Sequence, residues 1–274
     1  MKPNWKHHLE QGLSDDQYPW DWTSAGLTGH LQTYGVAKAE GVWVGEGCLE
    51  AAKEVLAPFG LSLQVQALIE DGSRVGPGDR LFEISGQASG VLGVERPLLN
   101  LMSFVSGIAT QTHELVSRVR HPRITCTRKT LPGYRDLSIY GVIQGGGHPH
   151  RIGLGSGILI KENHIASGGL KSCIENVRSK APHGLKVEVE VTNIKQAMEA
   201  VEYGAEGLLL DNFSPDQVKE CLEKVQGVFI EVSGGIHGGN ISDYDLEGVD
   251  IISSGSLTHS VKALDLSLLA HGQL

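Results

Sequence analysis

KVEVEVTNIKQAMEAVEYGAEGLLLD, residues 186–211, contains one complete turn of the pattern that sets the fold. Its first residues alternate, so Glu188 and Glu190 share one face and the valines the other, as in a strand. A helix-length segment, NIKQAMEAVEYGA (193–205), leads into a second strand, GLLLD (207–211). That order predicts parallel strands joined by a crossover helix.

The unit recurs on both sides. ITCT (124–127), YGVIQ (140–144), GILIK (157–161), VFIEVS (228–233) and DIISS (250–254) read as further strands. SPDQVKECLEKVQG reads as another helix, with Ser214 as N-cap and Pro215 at the first helical position. Successive strands end at Lys161, Glu190, Asp211, Ser233 and Ser254, spaced by 29, 21, 22 and 21 residues, each with a polar or charged group. In a barrel these ends meet on one rim, whereas an open doubly wound sheet brings together only those at its switch point. The regular spacing favours the barrel, and seven visible strands make it an incomplete one, expected over residues 106–264. Residues 1–105 read as a separate α+β domain, with GEGCLEAAKEVLAPFG as a helix and LSLQVQALI and RLFEIS as strands flanking the turn EDGSRVGPGD. The tail, 265–274, is expected to pack on that first domain.

Composition sets limits on function. The chain has 274 residues, 40% hydrophobic and 20% charged, enough for one barrel or two smaller domains with a large core. Cys48, Cys126, Cys173 and Cys221 lie far apart without a CxxC pair, so neither a disulfide framework nor a thiolate zinc site is expected. The N-terminus lacks a signal-peptide core, and no run approaches the roughly 20 apolar residues of a membrane span; a cytoplasmic protein is expected. The net charge is −9, yet residues 115–161 hold Arg118, Arg120, Arg123, Arg128, Lys129, Arg135, Arg151 and Lys161 against one acid, Asp136. An acidic chain with 5% aromatic residues does not fit a nucleic-acid binder. A local cationic pocket for a small polyanion does.

Several residues are candidates for that pocket. Arg128 and Lys129 directly follow a strand and fall on the predicted rim, while Arg135 lies beyond a Pro-Gly turn and is left unassigned. GGGHPHR (145–151) supplies His150 and Arg151 as anion ligands; its H-x-H lacks an evident third metal ligand, and His148 is expected to be exposed. His113 and His121 show no partner pattern. Glu188 and Glu190 either pair with basic side chains inside the barrel or, for Glu190 nearer the rim, hold a metal ion or sugar hydroxyls; Asp211 poses the same choice. The stretches SGGI (233–236) and SSGS (253–256) follow the last two strands, where barrels bind phosphate.

Nine stretches in order, ERPLLN (95–100), SGIAT, TRKTLPGYR, GGGHPHRIGL, LIKENHI, VEVEV, LLLDNF, EVSGGI and GVDIISSGSLTHSVKALDLSL, make the chain resemble the quinolinate phosphoribosyltransferase family. The resemblance implies an N-terminal α/β sandwich domain followed by an incomplete TIM-like (β/α) barrel. It implies a homodimer with shared active sites and a Mg²⁺-dependent reaction of quinolinate with 5-phosphoribosyl-1-pyrophosphate. The products would be nicotinate mononucleotide, pyrophosphate and carbon dioxide, a step of NAD biosynthesis. Thr127, Arg128, Lys129, His150, Arg151 and Lys161 would line the substrate pocket, with Arg96 reaching into the partner's site. Lys129, Lys161, Glu190 and Asp211 would be catalytic, the two carboxylates holding Mg²⁺ directly or through the ribose pyrophosphate. Ser233, Gly234, Gly235, Ser254, Gly255 and Ser256 would cradle the 5-phosphate, with His259 assisting.

Cys126 and Pro149 depart from the family's usual Asp and Asn. The Pro-His-Arg form also occurs in a paralogous family linked to molybdenum uptake, but TLPG and LIKENHI resemble the quinolinate enzyme. A carrier-module reading of EDGSRVGPGDRLFEISG fails because no lysine lies between Lys53 and Lys129 to serve as an attachment point.

Overall fold

A computed structural model describes residues 2–271. They form two compact units: 2–113, 132–146 and 261–271 make the first, and 114–131 with 147–260 the second.

In the first unit Asn4 caps α1 (Trp5–Asp15) by accepting the His7 N–H. There follow β1 (His30–Ala37), β2 (Gly41–Val42), α2 (Glu46–Leu56), β3 (Leu63–Ala67), β4 (Arg74–Val75), β5 (Arg80–Gln87) and α3 (Ala88–Val116). β5 pairs antiparallel with both β1 and β3. The turn expected at EDGSRVGPGD is present, with Gly72 and Gly78 at positive φ and the short β4 pairing with β2 inside it. Buried Trp43 and Phe82 stack 5.8 Å apart in the core, and the Phe82 ring fills the space a side chain on Gly35 would need.

One reading of this region is corrected. YGVIQ is not a strand but the second half of α4 (Arg135–Gln144). The reason is close helix packing: a Cβ on Gly141 would stand 2.9 Å from the Ile108 Cβ, and Gly145 is equally tight against Thr112, so the two glycines let α4 lie flat on α3. A short apolar run does not by its period tell helix from strand, and here the tertiary contact decides. α3 runs unbroken from Ala88 to Val116 with Pro97 inside it, so residue 105 lies within a helix.

The second unit contains β6 (Arg123–Thr125), β7 (Ile158–Ile160), α5 (Glu162–Gly168), α6 (Leu170–Lys180), β8 (Val187–Val191), α7 (Ile194–Glu202), β9 (Gly207–Asp211), α8 (Pro215–Lys224), β10 (Phe229–Ser233), β11 (Ile251–Ser253) and α9 (Ser256–His259). Ser214 and Gln217 form a capping box at the start of α8, with Pro215 at its first position, as the sequence predicts. The parallel sheet has the order β6-β11-β10-β9-β8-β7. The first strand of this sheet in chain order thus pairs with its last, and the others follow in sequence. That is a barrel closed everywhere except between β6 and β7. At this seam one bridge, Thr125 to His148, pairs with β6, with His148 N–H donating to the Ile124 carbonyl at 2.8 Å, while the expected strand YGVIQ lies in α4.

The chain then returns to the first unit. β12 (Leu266–Ala270) pairs antiparallel with β1, from Ala37 opposite Leu266 to Thr33 opposite Ala270; residues 272–274 of the expected tail lie outside the described residues. Among the described residues no helix is long and apolar enough to cross a membrane.

Candidate active site

Four of the five strand ends that the sequence aligns by spacing, Lys161, Glu190, Asp211 and Ser233, converge on one cavity. A cavity of about 310 Å³ at the C-terminal rim of the parallel sheet is lined by Thr127, Arg128, Lys129, His150, Arg151, Lys161, Glu190, Asp211 and Ser233, together with Leu159, Leu209, Glu231 and Ser253. Nine of the sequence candidates therefore share one wall-to-wall space.

Its cations come from three segments. Thr127 Oγ1 accepts the Lys129 N–H at 3.1 Å, and Thr258 Oγ1 donates to the Lys129 carbonyl at 2.8 Å, fixing the turn that carries Arg128. Arg128 Nε is buried without a hydrogen-bond partner. Arg151 is half-buried, and its guanidinium is held below its ordinary pKa by burial first and by the charge of Arg128 second. Two guanidinium groups at close quarters, one with an unsatisfied donor, make a site for an anion. Lys161 extends from the end of β7 to an ion pair with Glu190 Oε2.

The carboxylates divide by depth. Glu190 and Asp211 face the cavity from adjacent strands, and Asn212 Nδ2 donates to Asp211 Oδ2 at 2.9 Å. Glu188, one layer deeper on β8, is 7% exposed, and its Oε1 is without a partner. Its carboxyl is pushed up to about 9, by burial first and then by the charge and hydrogen bond of Glu231. Of the two glutamates expected on one face, Glu190 has found a basic partner and Glu188 a second acid.

This gives a stability prediction. The folded state keeps a proton on Glu188 that the unfolded chain, with the ordinary value of 4.5, has already lost at neutral pH. Its contribution is full below 4.5 and is lost as pH rises toward 9. Glu188→Gln is therefore expected to raise Tm by about 3 °C or more at pH 8.5 but by less than about 1 °C at pH 5, measured by thermal melts across pH. An offset that does not change with pH would contradict this.

The two glycine loops are joined rather than separate. Gly234 and Gly235 both adopt positive φ, and the Asn212 backbone nitrogen would stand 2.8 Å from a Cβ on Gly234. Ser254 Oγ donates to the Ile236 carbonyl and meets Ser256 Oγ, both at 2.7 Å, so this hydroxyl ties one loop to the other. His259 lies against Gly255, beside the Lys129 stem, with Nδ1 2.6 Å from Ser260 Oγ.

Arg96 is exposed on α3 in the other unit and is not among the cavity residues. Arg135 opens α4 in that unit. His148 is exposed at the seam, as expected. Cys126 is buried, and burial pushes its thiol up. Sequence reading missed Glu231, whereas Ser253 lies in the SSGS stretch it had marked. The signal for Glu231 was available: FIEV places one acid in an otherwise apolar buried strand, the same anomaly as VEVEV.

An incomplete α/β barrel with four cations and two carboxylates at its rim defines a barrel enzyme for phosphorylated, polyanionic substrates. The comparisons with known proteins narrow the class. Models of the quinolinate phosphoribosyl transferase C-terminal and N-terminal domains match residues 108–269 and 27–106, and the chain belongs to that family. It is 38% identical over 252 residues to the probable nicotinate-nucleotide pyrophosphorylase [carboxylating] of Methanocaldococcus jannaschii, covering 87% of each chain. It is 42% identical over 207 residues to the nicotinate-nucleotide pyrophosphorylase [carboxylating] of Mycobacterium leprae, covering 73% of this chain and 72% of that one. The solved nicotinate-nucleotide pyrophosphorylase from Francisella tularensis superposes with a TM-score of 0.92 at 32% identity, covering 99% of this chain and 98% of that one.

Proposed function

We propose that this protein transfers the phosphoribosyl group of 5-phosphoribosyl-1-pyrophosphate to quinolinate with loss of carbon dioxide, giving nicotinate mononucleotide and pyrophosphate. The observation that carries this reading is the division of the cavity: Arg128, Lys129, Arg151 and Lys161 supply positive charge, and Glu190 and Asp211 face them. Quinolinate is a dianion and the donor carries several more charges, so both need cations before they can share a space. Arg128 and Arg151 hold the two carboxylates, Arg128 through its unsatisfied donor. Lys129 and Lys161 face the pyrophosphate, and the glycine loops after β10 and β11 take the 5-phosphate through backbone N–H groups and the hydroxyls of Ser233 and Ser256.

The pyridine nitrogen attacks the anomeric carbon as the bond to pyrophosphate breaks. Positive charge then develops on the ribose beside Glu190 and negative charge on the leaving group beside the lysines. The alkylated ring accepts the electron pair left when the adjacent carboxylate departs as carbon dioxide, and that carbon takes up a proton. Because the nucleophile is a free lone pair, the site needs no general base, which agrees with a lining without an activated Ser or Cys.

Mg²⁺ belongs to the same proposal. Glu190 and Asp211 are oxygen donors on adjacent strands at an open rim, which fits an ion bound by one or two carboxylates, water and substrate phosphates. It would neutralise charge on the pyrophosphate. A homodimer is proposed as well, with exposed Arg96 entering the partner's site. A cytoplasmic location fits four free cysteines, three of them buried.

The test is to incubate the purified protein with quinolinate, the ribosyl donor and Mg²⁺, and to follow nicotinate mononucleotide by chromatography. Turnover is expected with quinolinate and not with nicotinate. Turnover with nicotinate only would reject the substrate but keep phosphoribosyl transfer, and no turnover with either would reject the reading.

A further inference from the structure

We propose that Glu231 is a positioning residue: it fixes the tautomer and orientation of His150, and His150 in turn holds the backbone of Arg151 so that its guanidinium meets the dicarboxylate substrate. This rests on the reaction proposed above. Glu231 lies on β10, 1% exposed, with both carboxylate oxygens 3.2 Å from His150 Nε2. The other ring nitrogen, Nδ1, accepts the Arg151 backbone N–H at 2.8 Å.

The tautomer follows from these two contacts. A backbone N–H can only donate, so Nδ1 must present its lone pair, and the proton of the neutral ring must sit on Nε2 and point at Glu231. Both nitrogens are then in use, and His150 is a strut rather than the anion ligand its place in the sequence implies.

One rival must be weighed. Ligand atoms of His150, Glu188 and Glu231 lie within 4.8 Å of one another, close enough for a cation. A metal ligand needs a lone pair on the nitrogen facing the carboxylates, and here that nitrogen carries the proton.

The location explains the need. Residues 147–157 cross the open seam of the barrel, where backbone pairing amounts to the single Thr125–His148 bridge. Arg151 lies three residues beyond that bridge, so the side-chain link through His150 to a rigid barrel strand sets its place. A carboxylate buried this deeply would cost several kcal/mol without such a partner.

The experiment uses the full-length protein, Glu231→Leu, Glu231→Gln, and ¹⁵N-histidine spectra, with His150 signals assigned by their loss in His150→Gln. The wild-type spectrum is expected to show a neutral ring protonated at Nε2. Glu231→Leu should raise KM for quinolinate about tenfold, change kcat and KM for the ribosyl donor less than about threefold, and mix the tautomers. Glu231→Gln keeps an acceptor oxygen and should bring the quinolinate KM to within about threefold of wild type. A wild-type ring protonated at Nδ1, or a stoichiometric transition metal in the purified protein, would overturn the proposal without any variant. So would an unchanged quinolinate KM in Glu231→Leu. Wild-type turnover, measured first, tests the reaction separately.

Discussion

Arg128→Ala is expected to lower kcat/KM for quinolinate by about 10²- to 10³-fold, roughly 3–4 kcal/mol, with most of the loss in KM. The guanidinium is inside the cavity wall, and its Nε has no protein partner, so its hydrogen-bonding capacity is held in reserve for a ligand. The charge of Arg128 also bears on Arg151, so a dianion between them relieves a repulsion as well as forming new bonds. Arg128→Lys restores charge but not the planar fork and should recover about tenfold at most. Steady-state kinetics with each substrate varied in turn will distinguish this from a general defect, because KM for the ribosyl donor should change much less. Equal losses for both substrates would mean that Arg128 acts on the shape of the rim and not on quinolinate.

What made this residue legible was its position directly after a strand. The same logic worked wherever the chain repeats a strand-helix unit: the ends at Lys161, Glu190, Asp211 and Ser233 all reach the cavity. Spacing encodes the rim because each parallel crossover has to return the chain to the same end of the sheet. It fails where the unit is broken. Between β6 and β7 the chain forms α4, which belongs to the first compact unit, and YGVIQ looks like a strand only because β-branched and apolar residues dominate a helix buried on α3. The long α3 was illegible for the converse reason, since Gly90, Gly93 and Pro97 break the local helix signal that burial then overrides.

Within the site, residue type was legible and partnership was not. The pattern VEVEV marks two inward carboxylates but cannot say that Glu190 meets Lys161 while Glu188 meets Glu231, because those partners come from strands 29 and 43 residues away. His150 shows the same limit: its neighbours in sequence mark a cationic loop, whereas its hydrogen bonds make it a link between β10 and Arg151. Ser254, too, is spent on joining the two glycine loops.

That division of labour makes the effect of removing the rim carboxylate specific. Glu190→Gln is expected to lower kcat about 10²-fold or more while leaving KM for the ribosyl donor unchanged or lower. In the resting protein Glu190 offsets the Lys161 ammonium, so its loss leaves more positive charge facing the pyrophosphate, which offsets the loss of one Mg²⁺ ligand in ground-state binding while Asp211 keeps the ion. In the transition state the ribose becomes cationic, and a carboxylate at the rim then makes an interaction that the substrate alone does not offer. An effect confined to that state appears in kcat. Single-turnover measurements at saturating donor and Mg²⁺ check the assignment, since they isolate bond breaking from product release. A variant that keeps its single-turnover rate but loses donor affinity would place Glu190 in binding and leave stabilisation of the ribosyl cation to Asp211.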